Sequence, residues 1–533
     1  MLRYLSRSWT GPGPHFLFAV IMLAIFGATL FTGIVPTRSH PYDVVFFADA
    51  GWRTLSGLRP HLDYYSPYGD GVQLLLAAGQ WLAGGSVEGV GYISGCVGVV
   101  VGVWAYLLLL RRTSSLFAVV TAASLALLSV ATVSLGYSFA LASQAMFYNR
   151  FAFAFLGLVI IEAFPLSSDP KFTTAGAFST GVASALLLFL KASYFAVAVV
   201  LAAASLLWTT PIQLRRLVFL AVGFVAGALP FLVYLRFRVD LLYGDIHMAG
   251  ASRTAPLKLS ALMNFFTQDI LQLVILLALA FLLGYEYGSP SVIRRWRIAL
   301  LAFTLYIAGV LLMSTNAQPS RLPLDELLAL LLAGAFLEIA TRATSRIQPA
   351  VAAALAVIAL GLALPNIATD AAALANGMRL KRSYNRDYAH NIPIAGMEPW
   401  IIVDDYIAPE ATINTGAFLA PYLTDGVELL RANLKPGERV ATMDAYNPFP
   451  FLLGIPPPTG GMAAAAYHIV FDERNHPDAN VYFGNADVVM YPQHAALNEE
   501  MFAGLPKIYG AALEQRFQMV AESAGWKLYR RRP

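Results

Sequence analysis

Long apolar runs alternate with short polar connections along the first two thirds of the chain. Runs near 16–36, 88–110, 116–135, 147–165, 173–190, 193–209, 217–235, 266–284, 298–314, 323–341 and 349–368 each approach the ~20 residues a helix needs to cross a bilayer core. They predict about eleven spanning helices. A shorter apolar stretch, 71–84, reads as a helix lying at the outer interface. From about residue 370 no spanning run follows. There LLRANLKPGERVATMD reads as a helix (422–433), a Lys-Pro-Gly turn and a strand (438–443). ADVVMYP (486–492) reads as a second strand, 496–520 as a helix and WKLYRR (526–531) as a last strand, while 378–415 reads as loop with short elements. The predicted fold is a polytopic α-helical membrane protein over 1–369, followed by a small α/β domain over 370–533.

Composition agrees with the pattern. The chain is 58% hydrophobic and only 13% charged, where a soluble domain carries about 25% charged residues. A net charge of +4, spread along the chain, offers no nucleic-acid surface. Cys96 is the single cysteine, which excludes an intrachain disulfide and a cysteine-based metal site. The basic start and long apolar core of MLRYLSRSWTGPGPHFLFAVIMLAIFGATLF read as a retained first membrane helix. Arg3 and Arg7, Arg111 and Arg112, Arg215 and Arg216, Arg294, Arg295 and Arg297, and Arg342 and Arg346 fall in alternate loops. Placing them in the cytoplasm puts the N-terminus inside and the C-terminal domain outside. It also makes 37–87 the first outer loop.

That topology gathers an unusual set of side chains on the outer face. The first loop contains PYDVVFFADAGWRTLSGLRPHLDYYSPYGDG, with Asp43, Asp49, Asp63 and Asp70. Arg150 in AMFYNRFAF, Lys191 in LLLFLKASYF and Arg321 in STNAQPSRLPLDE lie at three other outer ends. A carboxylate suits proton abstraction from a hydroxyl, and cations suit a phosphate leaving group. Asp43 and Asp63 sit in aromatic and apolar sequence, where a carboxylate loses solvent. Asp49 and Asp70 read more simply as ordinary loop or helix-start residues. Lys191 and Arg321, at helix ends, also fit basic side chains reaching for the interface, and Arg150 also fits a partner for an acid.

The residues Asp43, Ala50, Leu55, Gly57, Pro60, Asp63, Tyr64, Tyr68 and Gly69, followed by FLKAS at Lys191 and SRLPLDELLALLLAG at Arg321, resemble the ordered motifs of GT-C superfamily glycosyltransferases. The resemblance is nearest the bacterial protein mannosyltransferases, lipid A aminoarabinose transferases and rhizobial lipopolysaccharide galacturonosyltransferases. It departs at Val44, where many members have a second acid, at SPYGDG before the second span, and at Asp325, where a proline is usual.

The resemblance implies an enzyme of the bacterial inner membrane that takes a sugar from a polyprenyl-phosphate-linked donor. The acceptor would be an envelope glycan, lipid or protein. Asp43 would be the base, and Lys191, Arg321 and Arg150 would hold the lipid phosphate. His61, Asp63, Tyr64, Tyr65 and Tyr68 would line the sugar and acceptor side. One displacement would invert the anomeric centre. No cofactor is required, and without a D-x-D in the first loop a metal is not supported. NPFPFLLGIPPPTGG (447–461) reads either as a rim over the cavity or as a loop packing on the membrane domain. Asp404 and Asp405 read as surface residues. A transporter of lipid-linked glycans and an O-antigen polymerase or ligase are the competing classes.

Overall fold

The protein's structure is a computed structural model that describes residues 12–110, 112–164, 174–207, 214–252, 259–287, 292–314, 321–342, 344–406, 415–494 and 499–533. Arg3, Arg7, Arg111 and residues 315–320 of the loop before Arg321 lie outside this set. The elements follow in chain order as α1 (Gly13–Thr32), α2 (Tyr42–Leu55), α3 (Asp70–Leu82), α4 (Gly89–Leu109), α5 (Ser115–Val130), α6 (Phe147–Ala163), α7 (Thr174–Leu190), α8 (Ala192–Leu207), α9 (Leu214–Tyr234), α10 (Val239–Ala251), α11 (Leu259–Tyr287), α12 (Val292–Ser314), α13 (Pro323–Thr341) and α14 (Pro349–Arg382).

Every one of the predicted apolar runs is a helix. Among the described residues six, α1, α4, α9, α14 and the segments Asp269–Tyr287 of α11 and Trp296–Met313 of α12, are long and apolar enough to cross a membrane. The others are shorter or, like α13, carry carboxylates such as Asp325 and Glu326. The stretch expected at the interface is α3, whose 13 residues rise only about 20 Å at 1.5 Å each, too little to span. Before α14 two helices were not expected. The first outer loop opens with α2, because YDVVFFADAGWRTL buries apolar side chains around most of its circumference. The connection after α9 holds α10. α14 begins with its Pro in the first turn, where the missing N–H costs nothing, and runs on past residue 369 to Arg382, with basic residues in its last turn.

Close backbone approach sets where the outer loop sits. A side chain at Gly69 would collide with the backbone of Phe189, so glycine lets the loop lie directly on the C-terminal end of α7. That brings Asp70 beside the α7–α8 junction, where Lys191 is.

Beyond α14 the chain forms β1 (Ala389–Asn391) and β2 (Ile401–Val403), an antiparallel pair, then α15 (Gly416–Asn433). A four-stranded sheet follows, built from β3 (Val440–Thr442), β4 (Val488–Pro492), β5 (Phe517–Glu522) and β6 (Trp526–Arg531), in the order β3-β4-β6-β5. β3 and β4 are parallel, and the other pairs are antiparallel. Short helices α16 (Phe449–Leu453) and α17 (Ala479–Phe483) and the longer α18 (Glu499–Arg516) complete the α/β region. The helix expected over 496–520 ends at Arg516, and Phe517–Glu522 is β5 instead. Two turn-favouring residues, Ser523 and Gly525, close a hairpin with β6, and this tertiary pairing overrides the helical continuation. Trp526 anchors the region, fully buried, with its indole N–H donating to Tyr422 O at 2.8 Å. Asp404 and Asp405 are held in place structurally. Asp404 accepts the N–H groups of Gly416 and Ala417 at the start of α15, and Asp405 pairs with Arg38 at 2.8 Å.

Candidate active site

Asp43 is in the first turn of α2, where a carboxylate also complements the helix dipole. One of its oxygens accepts the backbone N–H of Met146 at 3.0 Å. Burial pushes its carboxyl up to about 6, against the lowering effect of that bond. A group titrating there is ionised at neutral pH yet basic enough to accept a proton. Met146 itself has φ 54°, a left-handed conformation that a long side chain rarely takes. It caps α6, and the strained residue turns its N–H toward Asp43.

Tyrosines surround this carboxylate. The Tyr148 hydroxyl donates to the Tyr68 hydroxyl at 3.3 Å, and the two rings lie 4.9 Å apart. Phe46, one turn along α2 from Asp43, packs on Tyr68 and on Tyr446 with centroids 5.6 and 5.4 Å away. Tyr446 comes from the C-terminal region. Its hydroxyl is pushed well up by burial and by the charge of Asp43, with Tyr68 adding to it. The α/β region therefore closes over Asp43. Lys191 joins the same group. Its ammonium lies 5.6 Å from the Tyr148 ring centroid and 5.7 Å from that of Tyr194, and donates to Asn149 Oδ1 at 3.0 Å.

Arg150 and Arg321 are placed differently. Both converge on Asp370 of α14, Arg150 at 3.2 Å and Arg321 at 2.7 Å. Arg321 also pairs with Glu326 at 3.1 Å, and Glu326 accepts the Ser124 hydroxyl at 2.8 Å. Arg150 donates further to the carbonyls of Leu128 and Val133. Two guanidinium and two carboxylate groups thus form a cluster that ties α5, α6, α13 and α14 together. Among the described residues the buried Arg321 Nε has no hydrogen-bond partner in it. Asp370 was invisible to motif reading, because nothing local marks a residue whose partners are 49 and 220 positions away.

His61 also holds φ 65°. Its Nδ1 meets Asp245 of α10 at 2.8 Å and its Nε2 faces Asp70 at 3.3 Å. Asp70 is fully buried, and burial pushes its carboxyl up to about 7 against the pull of His61. It is therefore not the ordinary helix-start residue its sequence suggests. Asp49 is equally buried and bonded to Arg53 at 2.7 Å. Arg53 in turn stacks its guanidinium over Tyr64, 5.0 Å from the centroid.

Asp63, Tyr64 and Tyr65 are brought to the α/β region rather than to Asp43. The Asp63 carbonyl accepts the Gly460 N–H at 2.6 Å, and Tyr65 exchanges backbone bonds with Gly461 and Ala463. The Tyr65 hydroxyl donates to Val470 O at 2.6 Å. Residues 447–461 pack on α2. Asn447 N–H donates to Asp49 at 3.1 Å, Trp52 donates to Ile455 O at 2.8 Å and Arg53 to Gly460 O at 3.1 Å. His61, Asp63, Tyr65, Asp245, Met248 and Thr459 line one cavity of about 520 Å³ between the outer loop, α10 and the α/β region. Among the described residues, no group of three or more His, Cys, Asp or Glu side chains is arranged to hold a metal ion.

No family model matches the chain. No curated protein matches it either. Among solved structures it is similar to ArnT from Cupriavidus metallidurans bound to undecaprenyl phosphate, at 14% identity and TM-score 0.47, over 98% of each chain. It is similar to the apo state of the same protein at 14% identity and TM-score 0.46, over 97% of each chain.

Proposed function

We propose that this chain is a glycosyltransferase that moves a sugar from a polyprenyl-phosphate-linked donor to an acceptor hydroxyl at the outer face of a bacterial inner membrane. The observation that supports it best is the grouping of a raised carboxyl, Asp43, with Tyr68, Tyr148 and the Lys191 ammonium at one outer end of the helices. In this reading about eleven helices span, the N-terminus is cytoplasmic and the α/β region is periplasmic.

Asp43 takes the proton of the acceptor hydroxyl as its oxygen attacks the anomeric carbon. The bond from that carbon to the phosphate oxygen breaks, and its electron pair leaves with the lipid phosphate. The new charge develops beside Lys191. One displacement inverts the centre. A positioned base contributes roughly 10²–10⁴-fold and a charge-stabilising donor about 3 kcal/mol. Arg150 and Arg321, first read as phosphate ligands, act here through Asp370 by fixing the start of α6 and so the Met146 N–H that holds Asp43. The acceptor, whether glycan, lipid or protein, approaches from the side of Asp63 and His61.

A transport reading has one observation in its favour, the buried charges on α6, α13 and α14. Those charges are paired with one another, which favours the transferase. The test is sugar transfer from a polyprenyl-phosphate sugar in membranes, comparing the wild type with Asp43→Asn at matched expression. Transfer that persists at the wild-type rate removes Asp43 as the base. Absence of transfer by the wild type with every donor tried moves the transport reading ahead.

A further inference from the structure

The cavity beside His61 has a chemistry of its own. Two carboxylates face it, and among the described residues each has one oxygen hydrogen-bonded and one without a hydrogen bond. Asp245 Oδ2 takes His61 Nδ1 at 2.8 Å and the Ser66 N–H at 3.0 Å, and Asp63 Oδ2 takes the Arg59 N–H at 2.7 Å. Among the described residues its lining contains aromatic and apolar surface, Thr459 and backbone of Gly460, but no lysine or arginine. His61 does not substitute for them, since both of its ring nitrogens are turned to carboxylates. Such a site accepts hydrogen bonds and repels anions. It suits hydroxyl and ammonium groups carried on a ring that can lie against Tyr65. A phosphorylated ligand would meet no lysine or arginine in that lining.

Its position adds a length. Asp43 is in the first turn of α2, and Arg53, in the last turn, donates to the Gly460 carbonyl on the cavity wall. Ten residues of helix separate them by roughly 15 Å. That is more than one sugar ring can bridge, so a ligand reaching from the cavity to Asp43 has several rings.

We infer that this cavity is the distal acceptor subsite, and that the acceptor is an oligosaccharide whose sugars there are neutral or amine-bearing rather than phosphorylated. The inference rests on the transferase reading. It gives the α/β region a task, since Thr459 and Gly460 form one wall and α10 forms the other.

The experiment uses the full chain in lipid nanodiscs and titrates three probes by calorimetry: maltotriose, the fully de-acetylated chitin trisaccharide and glucose 1-phosphate. The expected result is binding of at least one of the first two and none of the third. Asp245→Asn should weaken that binding tenfold or more. Because this change also touches the His61 contact, Met248→Trp provides a second variant that fills the cavity without altering an ion pair, and it should abolish binding while thermal unfolding stays cooperative. The inference is overturned if neither trisaccharide binds, if glucose 1-phosphate binds as tightly, or if both variants bind like the wild type. Release of polyprenyl phosphate from a lipid-linked sugar is read on the same nanodiscs. Release without trisaccharide binding removes the acceptor inference and leaves the transferase. Trisaccharide binding without release from any donor leaves a glycan-binding cavity but removes the transferase, and with it the acceptor role.

Discussion

Asp43 and Met146 define each other: the carboxylate of the one accepts the N–H of the other at 3.0 Å, and that N–H is presented by a left-handed backbone at φ 54°. A strained residue placed against a buried acid is a common arrangement at reacting centres, because the surrounding structure must hold both in place. The chain keeps the strain at the start of α6, one residue before Phe147, where the Arg150 cluster clamps the helix.

For Asp43→Asn the expected fall in transfer is about 10²–10⁴-fold, the usual worth of a positioned base. The pH profile of the wild type should rise up to about pH 6 and level above it, following ionisation of Asp43. The sign for stability is opposite. A carboxyl raised in the folded state is easier to keep protonated there, so its ionisation above about pH 6 works against folding. Asp43→Asn should therefore unfold at the same or a higher temperature than the wild type at pH 8. A variant that loses transfer only because its melting temperature has dropped would remove the catalytic assignment.

Lys191 and the arginine cluster should separate in the same pair of assays. Asp370→Asn leaves two buried guanidinium groups facing one carboxylate, and breaking a buried pair in this way costs about 3–5 kcal/mol. A large drop in melting temperature is expected. Lys191→Gln should keep the melting temperature near that of the wild type while transfer falls by 10²-fold or more. If Lys191→Gln melts early and transfers normally, the ammonium is structural and another group holds the leaving phosphate.

What the sequence disclosed and what it hid follow from the range of each signal. Apolar periodicity is local, so all the long runs were legible, but their ends less so: α11 and α12 begin seven and six residues before the expected starts, α5 ends five residues early and α14 continues to Arg382. The amphipathic α2 and α10 were not, because each is short and mixes charge with apolar residues. Asp43, Tyr68 and Lys191 were found through motif order and do meet at one place. Asp245 and Asp370 were not found. Their importance lies entirely in partners brought close by folding, His61 for the one and Arg150 with Arg321 for the other. The reading of Asp70 as an ordinary helix start missed for the same reason.

Asp70 provides a second pH test. Its carboxyl is raised to about 7 by burial, with Asp245 raising it and His61 lowering it. The stabilising protonated form is present at low pH and is lost as pH rises through about 7. The melting temperature of the wild type should decline across that interval, and Asp70→Asn should flatten the decline. An unchanged slope would show that Asp70 does not titrate there.

Of the hydrogen bonds across the joint between the outer loop and the α/β region, one lies next to Asp43. Asp444 is buried and accepts the Tyr42 hydroxyl at 2.5 Å and the Tyr422 hydroxyl at 2.7 Å. Tyr42 starts α2, next to Asp43, whereas Tyr422 belongs to α15 within the α/β region itself. Removing either hydroxyl leaves a buried carboxylate short of a donor, at a cost of about 1–3 kcal/mol. Only Tyr42→Phe breaks a bond across the joint. It should expose the α/β region to limited proteolysis and lower transfer, since Tyr446, two residues from Asp444, is what closes over Asp43. Tyr422→Phe should lower the melting temperature by a similar amount with less effect on proteolysis and transfer. Equal effects of the two substitutions in all three assays would mean that the closure over Asp43 does not depend on this joint.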